Sequence, residues 1–129
     1  MTIWSNGCFD VLHAGHIALL EFAKSQGDRL VVGLDTDERV KSSKGASRPI
    51  NSLENRLKVL SSVRFVDEVV SFGSDEELVQ RIRESGAELI VIGNDYAGKR
   101  VIGSEILPVQ FFYKIEGLSS SGVINALRV

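Results

Sequence analysis

Short runs of consecutive apolar residues alternate along this chain with longer stretches in which apolar residues recur every three or four positions. Runs of this length, bounded by polar residues, are typical of strands buried on both faces of a sheet. They predict five strands, at residues 2–5, 29–34, 66–72, 88–93 and 108–113.

The periodic stretches predict four helices between and after these strands. The first helix follows residues 6–16 and is expected to end near Gly27. The second begins at Asn51, which forms a capping-box-like pair with Glu54, and the third begins at a similar pair after residue 73. A last helix covers about residues 119–127. We expect the second helix to bury Leu53, Leu57 and Leu60.

Strands and helices that alternate at this spacing indicate right-handed βαβ units. The predicted fold class is therefore α/β: a single Rossmann-like domain over residues 1–129, with a five-stranded parallel sheet and helices on both faces. Ligands of such sheets bind beyond the carboxyl ends of the strands. Four segments follow those ends, at residues 6–16, 35–48, 93–100 and 114–121.

Composition narrows the function classes. The formal net charge of −2 gives no general attraction to nucleic acid, and no apolar run approaches the roughly 20 residues that span a bilayer. There is one cysteine, so no internal disulfide can form, which is typical of a reducing compartment. No signal peptide is evident. We expect a cytoplasmic protein that contacts neither nucleic acid nor membrane.

The segment NGCFDVLHAGH, residues 6–16, contains the only cysteine and the only two histidines of the chain. Backbone N–H groups at a helix start favour an anion, and two imidazoles beside them add further donors. Gly7 and Gly15 lack side chains, so a phosphate can approach the backbone closely. His13 and His16 therefore suit the charge that develops on a phosphoryl group during transfer.

Other interpretations of the same segment remain open. His13 and His16 have a spacing at which they can share a zinc ion, with Cys8 or Asp10 as a third ligand. The chain has no second cysteine or third histidine to complete such a site. Cys8 is also a conceivable nucleophile, although nothing indicates a lowered thiol pKa. Phe9 is expected in the core or as a wall beneath the site.

The stretch KSSKGASRPI, residues 41–50, is predicted to be a loop because of its serine, glycine and proline content. Lys41, Lys44 and Arg48 place three positive charges beyond the second strand, where they can close over bound phosphates. The alternative is a solvated basic loop, in which Arg48 forms a structural ion pair with an acid.

The segment GNDYAGKR, residues 93–100, has the Gly-x4-Gly-Lys spacing of a P-loop. Arg100 stands where a P-loop needs the hydroxyl that holds Mg²⁺, and no convincing helix follows. We therefore do not expect ATP hydrolysis by a P-loop mechanism, which would require Lys99. Asp95 and Tyr96 are expected to face the substrates.

Several of these motifs carry a resemblance to a known family. GCFDVLHAGH resembles the signature of the cytidylyltransferase-like nucleotidyltransferase superfamily, which is His-x-Gly-His after the first strand. KGASRPINSLENR, residues 44–56, is similar to the corresponding segment of bacterial heptose-1-phosphate adenylyltransferases. VRFVDEVV and EGLSSS resemble both that group and the glycerol-3-phosphate cytidylyltransferases, and GNDYAGK is closer to the cytidylyltransferase form.

The resemblance implies transfer of a nucleoside monophosphate from ATP or CTP to a sugar or polyol phosphate, with Mg²⁺ as cofactor and pyrophosphate as product. It implies catalytic roles for His13, His16 and Lys44. Nucleotide contacts are implied for Gly7, Cys8, Phe9, Asp10, Gly15, Arg64, Gly93, Asn94, Asp95, Gly117, Ser119, Ser120 and Ser121, with Asp67 helping to shape the pocket. Acceptor contacts are implied for Lys41, Lys44, Tyr96 and Lys114, and Asp10 is the implied magnesium ligand.

We lean towards an adenylyltransferase for a heptose-1-phosphate-like acceptor, because residues 44–56 match that group so closely. A glycerol-3-phosphate-type cytidylyltransferase is the alternative within the class, although Lys114 stands where those enzymes carry arginine. A non-catalytic nucleotide-binding module is the alternative from another class. By analogy with small enzymes of this kind, a homodimer is expected.

Overall fold

The computed structural model describes residues 1–93 and 100–113. Within these ranges the chain forms five strands and four helices. In chain order they are β1 (Thr2–Gly7), α1 (Ala14–Ser25), β2 (Arg29–Asp35), α2 (Asp37–Lys44), α3 (Leu53–Ser61), β3 (Glu68–Phe72), α4 (Asp75–Ser85), β4 (Leu89–Gly93) and β5 (Val109–Phe112).

The strands form one parallel sheet in the order β3-β2-β1-β4-β5. The chain moves outward from β1 to β3 and then crosses back to β4. The change of direction places the topological switch point beside β1, where open α/β sheets bind ligands. The predicted α/β fold with a five-stranded parallel sheet is confirmed.

Two buried clusters cover the two faces of the sheet. On one face Leu20 of α1 and Leu60 of α3 pack with Ile3 of β1. On the other face Leu78 and Ile82 of α4 pack with residues that include Trp4 and Val31. Because side chains alternate along a strand, each strand supplies both clusters, and its runs of apolar residues are explained.

The predicted loop at residues 41–50 is wrong over its first four residues, which belong to α2. The Thr36 hydroxyl accepts a hydrogen bond from the Arg39 N–H and caps this helix, and acidic residues occupy the first turn while Lys41 and Lys44 occupy the last. The helix buries only Val40. A helix with a single buried residue has no apolar periodicity, so the pattern alone could not reveal it.

The start of α3 also differs from the prediction. Its N-cap is Ser52 rather than Asn51, and the Ser52 hydroxyl accepts from the Asn55 N–H. Leu57, predicted to be buried, is 36% exposed. Arg56 takes the inward position between Leu53 and Leu60 and is 1% exposed. Because the charged Arg56 lies on the core-facing side of α3, the buried face of this helix differs by one residue from the predicted one.

The other predicted elements are present with ends that differ by one or two residues at most points. Strand β1 extends two residues further than predicted, to Gly7, and α1 ends at Ser25, before Gly27. The predicted last helix, at residues 119–127, lies outside the described residues. Among the helices of the described ranges, none has the length and apolar character needed to cross a bilayer.

Candidate functional site

His13 and His16 lie together at the start of α1, beyond the carboxyl end of β1. Their ring centroids are 4.0 Å apart and the rings are nearly parallel. His13 is the N-cap of α1, and its Nδ1 accepts from the Gly15 N–H at 3.0 Å. His16 Nδ1 accepts in turn from the His13 N–H at 3.2 Å. The two imidazoles thus form a reciprocal capping box, in which each ring is held by the backbone.

These backbone contacts determine the proton positions on both rings. A ring nitrogen that accepts a hydrogen bond carries no proton, so a neutral imidazole held through Nδ1 has its proton on Nε2. Both rings, when neutral, therefore carry their N–H donor on Nε2.

Backbone geometry beneath the histidines explains two of the small residues. Phe9 is buried with a positive φ of 46°, and its ring meets the His16 ring edge-on at 5.2 Å between centroids. A Cβ at position 7 would lie 3.3 Å from the Phe9 ring, so Gly7 allows this turn. Gly15 is buried in the first turn of α1. Phe9 is thus the wall beneath the site.

Asp10 is the centre of a buried hydrogen-bond network. Its Oδ2 accepts from Arg48 Nε and from the Ile50 N–H, and its Oδ1 accepts from the Asn51 N–H, each at 2.8 Å. Burial raises the pKa of the Asp10 carboxyl, but the N–H groups of Asn51 and Ile50 and the Arg48 guanidinium together outweigh that effect and hold the pKa below its ordinary value. The network ties the segment after α2 to the segment after β1.

These contacts do not fit Asp10 as a magnesium ligand. Its side chain is 0% exposed and both carboxylate oxygens already accept hydrogen bonds from protein donors. Within residues 1–93 and 100–113 there is no group of three histidine, cysteine or acidic side chains placed to hold a metal ion. The structural role of Asp10 is the one that its neighbours support.

The alternative of a structural ion pair for Arg48 is confirmed by its bond to Asp10. The Arg48 side chain is 9% exposed, so this pair is withdrawn from water. Lys41 and Lys44, by contrast, are exposed on the last turn of α2.

Arg56 is the main residue that sequence analysis missed. Its Nη1 donates to the main-chain oxygens of Cys8 at 3.0 Å and Asp35 at 2.8 Å, and its Nη2 donates to Asp37 Oδ1 at 2.7 Å. Its Nε donates to the Asn51 carbonyl oxygen at 3.0 Å. One guanidinium therefore joins the ends of β1 and β2 to the starts of α2 and α3. In the sequence, burial of Arg56 was indicated by its helical spacing from Leu53 and Leu60, which places all three on one face of α3.

Asp35 ends β2 at the same edge of the sheet. Burial raises the pKa of its carboxyl above the ordinary value, while Arg39, Arg56 and Lys44 act in the opposite direction. Helix α2 begins two residues after Asp35, so Lys44, in its last turn, is one of the positive charges that act on this carboxyl.

Two residues that the resemblance placed at the nucleotide lie elsewhere. Arg64 precedes β3, at the amino end of the sheet, and its guanidinium lies 4.9 Å from the centre of the Phe65 ring. Asp67 accepts from the Leu30 N–H and from Lys24 at the same amino end. Because parallel strands all begin at one edge, both residues are a strand length away from the histidines within this chain.

The remaining expected contacts include two that the structure describes and eight that lie outside the described residues. Gly93 ends β4 at the carboxyl edge, next to the switch point. Cys8 is partly buried, and its carbonyl oxygen is bound by Arg56. The expected contacts that lie outside the described residues are Asn94, Asp95, Tyr96, Lys114, Gly117, Ser119, Ser120 and Ser121.

The parallel sheet with helices on both faces and a switch point beside β1 define the chain as a Rossmann-like α/β domain. The model of the family described as cytidylyltransferase-like matches residues 4–121. The chain therefore belongs to the cytidylyltransferase-like family.

Individual relatives agree with this assignment. The chain is 46% identical over 127 residues to the bifunctional protein HldE of Campylobacter concisus and 44% identical over 127 residues to that of Wolinella succinogenes. Each alignment covers 98% of this chain but 27% of the relative, so the chain spans about a quarter of their length.

Among solved structures, the chain is similar to the lipopolysaccharide core biosynthesis protein of Thermoplasma volcanium. The TM-score is 0.71 at 25% identity, over 89% of this chain and 96% of that one.

Proposed function

We propose that this chain transfers a nucleoside monophosphate from a nucleoside triphosphate to a sugar or polyol phosphate. A phosphate oxygen of the acceptor attacks the α-phosphorus in line, the bond to the β-phosphate oxygen breaks, and pyrophosphate leaves with the electron pair of that bond. His13 and His16 stabilise the charge that builds on the phosphoryl oxygens.

The observation that carries this proposal is the reciprocal capping of the two imidazoles. Each Nδ1 is occupied by a backbone N–H, so each ring is fixed in orientation with its proton on Nε2. Donors that are already oriented need no rearrangement when charge develops, and this is the main source of electrostatic catalysis.

The lysines of α2 add the second part of the proposal. Lys44 lies near Asp35 at the carboxyl edge and is exposed, which suits contact with the phosphates of both reactants. Lys41, one turn earlier, faces solvent on the same helix and is proposed as an acceptor contact. Both residues are long, flexible cations, which can follow a phosphate as it moves during transfer.

For the substrates, we propose ATP and a heptose-1-phosphate-like sugar phosphate. Support comes from the match of residues 44–56 to the heptose group and from the network that this segment forms. In it Arg48, Ile50 and Asn51 are the donors to Asp10. The network fixes this segment beside Asp10, which lies in the segment that carries the histidines. CTP with glycerol-3-phosphate is the alternative pair.

A panel of ATP, CTP, GTP and UTP against several sugar and polyol phosphates, with pyrophosphate release as the readout, tests the proposal. We expect ATP with a sugar 1-phosphate to give the highest kcat/KM. Preference for CTP and glycerol-3-phosphate would support the alternative pair instead. Nucleotide binding without pyrophosphate from any pair would contradict transfer and indicate a binding module.

A further inference from the structure

A small cavity with both polar and apolar lining residues lies at the carboxyl edge of the sheet, on the face covered by α4. Its volume is about 80 Å³. Four neighbouring strands contribute the last side chain that they direct to this face, namely Asn6, Asp35, Phe72 and Ile92. The histidines start the helix that covers the opposite face. A ligand that crosses the edge would therefore meet the histidines at one end and this cavity at the other.

The polar groups of the cavity are tied to one another. Asp35 Oδ1 accepts from Arg39 Nε at 2.8 Å, and Arg39 Nη2 donates to Asp75 Oδ1 at 2.8 Å. The Arg39 guanidinium also lies 5.2 Å from the centre of the Phe72 ring. Arg39 is thus held between two carboxylates and stacked on an aromatic floor.

Charge and size limit what this cavity can take. Within the lining Asp35 offsets Arg39, and Arg100 is exposed to water, so neither a phosphate nor a cationic group is favoured. A water molecule needs about 10–15 Å³ of such space, whereas pockets that enclose a whole ligand measure about 300–1,000 Å³. The cavity therefore suits a short, neutral, hydroxyl-bearing chain and is too small for a nucleobase with its ribose.

We propose that this cavity binds the hydroxyl-bearing end of the sugar phosphate acceptor, with the Asp35 carboxylate and the Asn6 amide as its hydrogen-bonding partners. The carboxylate accepts from a hydroxyl group and the amide donates to one. The Asn6 Oδ1 already accepts from Trp4 Nε1 at 2.8 Å, which leaves the amide nitrogen as the donor side. This inference rests on the proposed function, because it assigns the acceptor of the same reaction.

Trp4 makes the cavity observable in the unaltered protein. It is the only tryptophan of the chain, it is fully buried, and its indole N–H is bound to Asn6. The indole N–H resonance in NMR spectra of the full chain therefore reports on Asn6. We expect a seven-carbon sugar 1-phosphate to shift this resonance. We expect a non-transferable ATP analogue alone to leave it in place.

Two substitutions test the same assignment by kinetics. Asn6→Asp keeps an oxygen for the Trp4 indole but removes the donor, and Asp35→Asn removes the charge of the acceptor oxygen. Each is expected to raise the acceptor KM about 10–100-fold, the effect of losing a hydrogen bond to a charged or buried group, with the ATP KM within about twofold of wild type. Asp75→Asn is the matched control, because Asp75 binds Arg39 from outside the cavity lining.

The outcomes separate the two proposals. In one result the wild type releases pyrophosphate while the sugar phosphate leaves the indole resonance unmoved, and in another the ATP analogue moves that resonance instead. Either result would overturn the cavity assignment and leave the transferase proposal intact. Unchanged acceptor KM values in both folded variants would do the same. If either variant unfolds, the indole measurement on wild type decides. Absence of pyrophosphate from the wild type with every acceptor would overturn the transferase itself.

Discussion

The two edges of the sheet are held in different ways. At the amino edge, Arg29 pairs with Glu68, and these side chains are 44% and 46% exposed. At the carboxyl edge, Arg56 is 1% exposed and its guanidinium bridges segments from four elements. Exposed pairs contribute little because water and salt screen them, whereas a buried guanidinium without its partners is costly. The edge held by buried charge is the one that carries the candidate site.

This contrast suggests that buried charge positions the site. The two arginines hold the chain just before the histidines: Arg56 binds the Cys8 carbonyl oxygen, and Arg48 binds the Asp10 side chain. The histidines lie three and six residues after Asp10, and their own contacts are to the first turn of α1. A site that depends on fixed donors needs this support from beneath.

The largest effect on stability is expected for Arg56→Met. The substitution keeps the length of the side chain but leaves the main-chain oxygens of Cys8, Asp35 and Asn51 without their donor. We expect a loss of about 3–5 kcal/mol in the free energy of unfolding, measured by urea denaturation. A loss below about 1 kcal/mol would show that the guanidinium is not what joins these elements.

Asp10→Asn is expected to have the next largest effect, about 2–3 kcal/mol at neutral pH, because it leaves the Arg48 guanidinium without a charged partner. The pH dependence gives a second measure. The folded state lowers the Asp10 pKa, so its contribution is present above the ordinary value of 3.8 and is lost as the pH falls through the lower folded value.

The Asp10→Asn variant should therefore lose less stability than wild type on acidification through that range. Thermal melts from pH 6 downward provide the comparison. Parallel acid profiles for the two proteins would contradict an ionised Asp10 in the folded state.

The smallest effect is expected at the amino edge. Glu68→Gln removes the charge of the exposed pair with Arg29 and should change the free energy of unfolding by at most about 1 kcal/mol. Activity should not change, since the pair lies a strand length from the histidines. A larger loss than that of Asp10→Asn would reverse the comparison between the two edges.

The sequence predicted the strands and three of the described helices, but it did not predict α2. All five strands and three of the helices have strong apolar patterns, and α1, α3 and α4 were found where those patterns placed them. Helix α2 was missed because Val40 is its only buried residue. Its evidence was a threonine cap with acidic residues after it, which is a weaker signal than periodicity.

In the candidate site too, some features could be predicted from the sequence and others could not. The histidine pair was visible because both residues lie within four positions of one another, at a junction of strand and helix. The hydrogen-bond donors to the Asp10 carboxylate were not visible in the sequence, because they lie 38 to 41 residues further along the chain. Burial of a charged residue depends on such distant partners, which no local pattern shows. The cavity at the carboxyl edge was missed for the same reason, since it is formed by the ends of four strands.

The central claim is that His13 and His16 provide oriented donors for the transferred phosphoryl group, and His16→Gln tests it most directly. Glutamine at the third position of a helix can still accept from the cap N–H, so the structural function of His16 is kept. We expect pyrophosphate release to fall about 10²–10⁴-fold with thermal stability close to wild type. Activity within about threefold of wild type in the folded variant would contradict the claim.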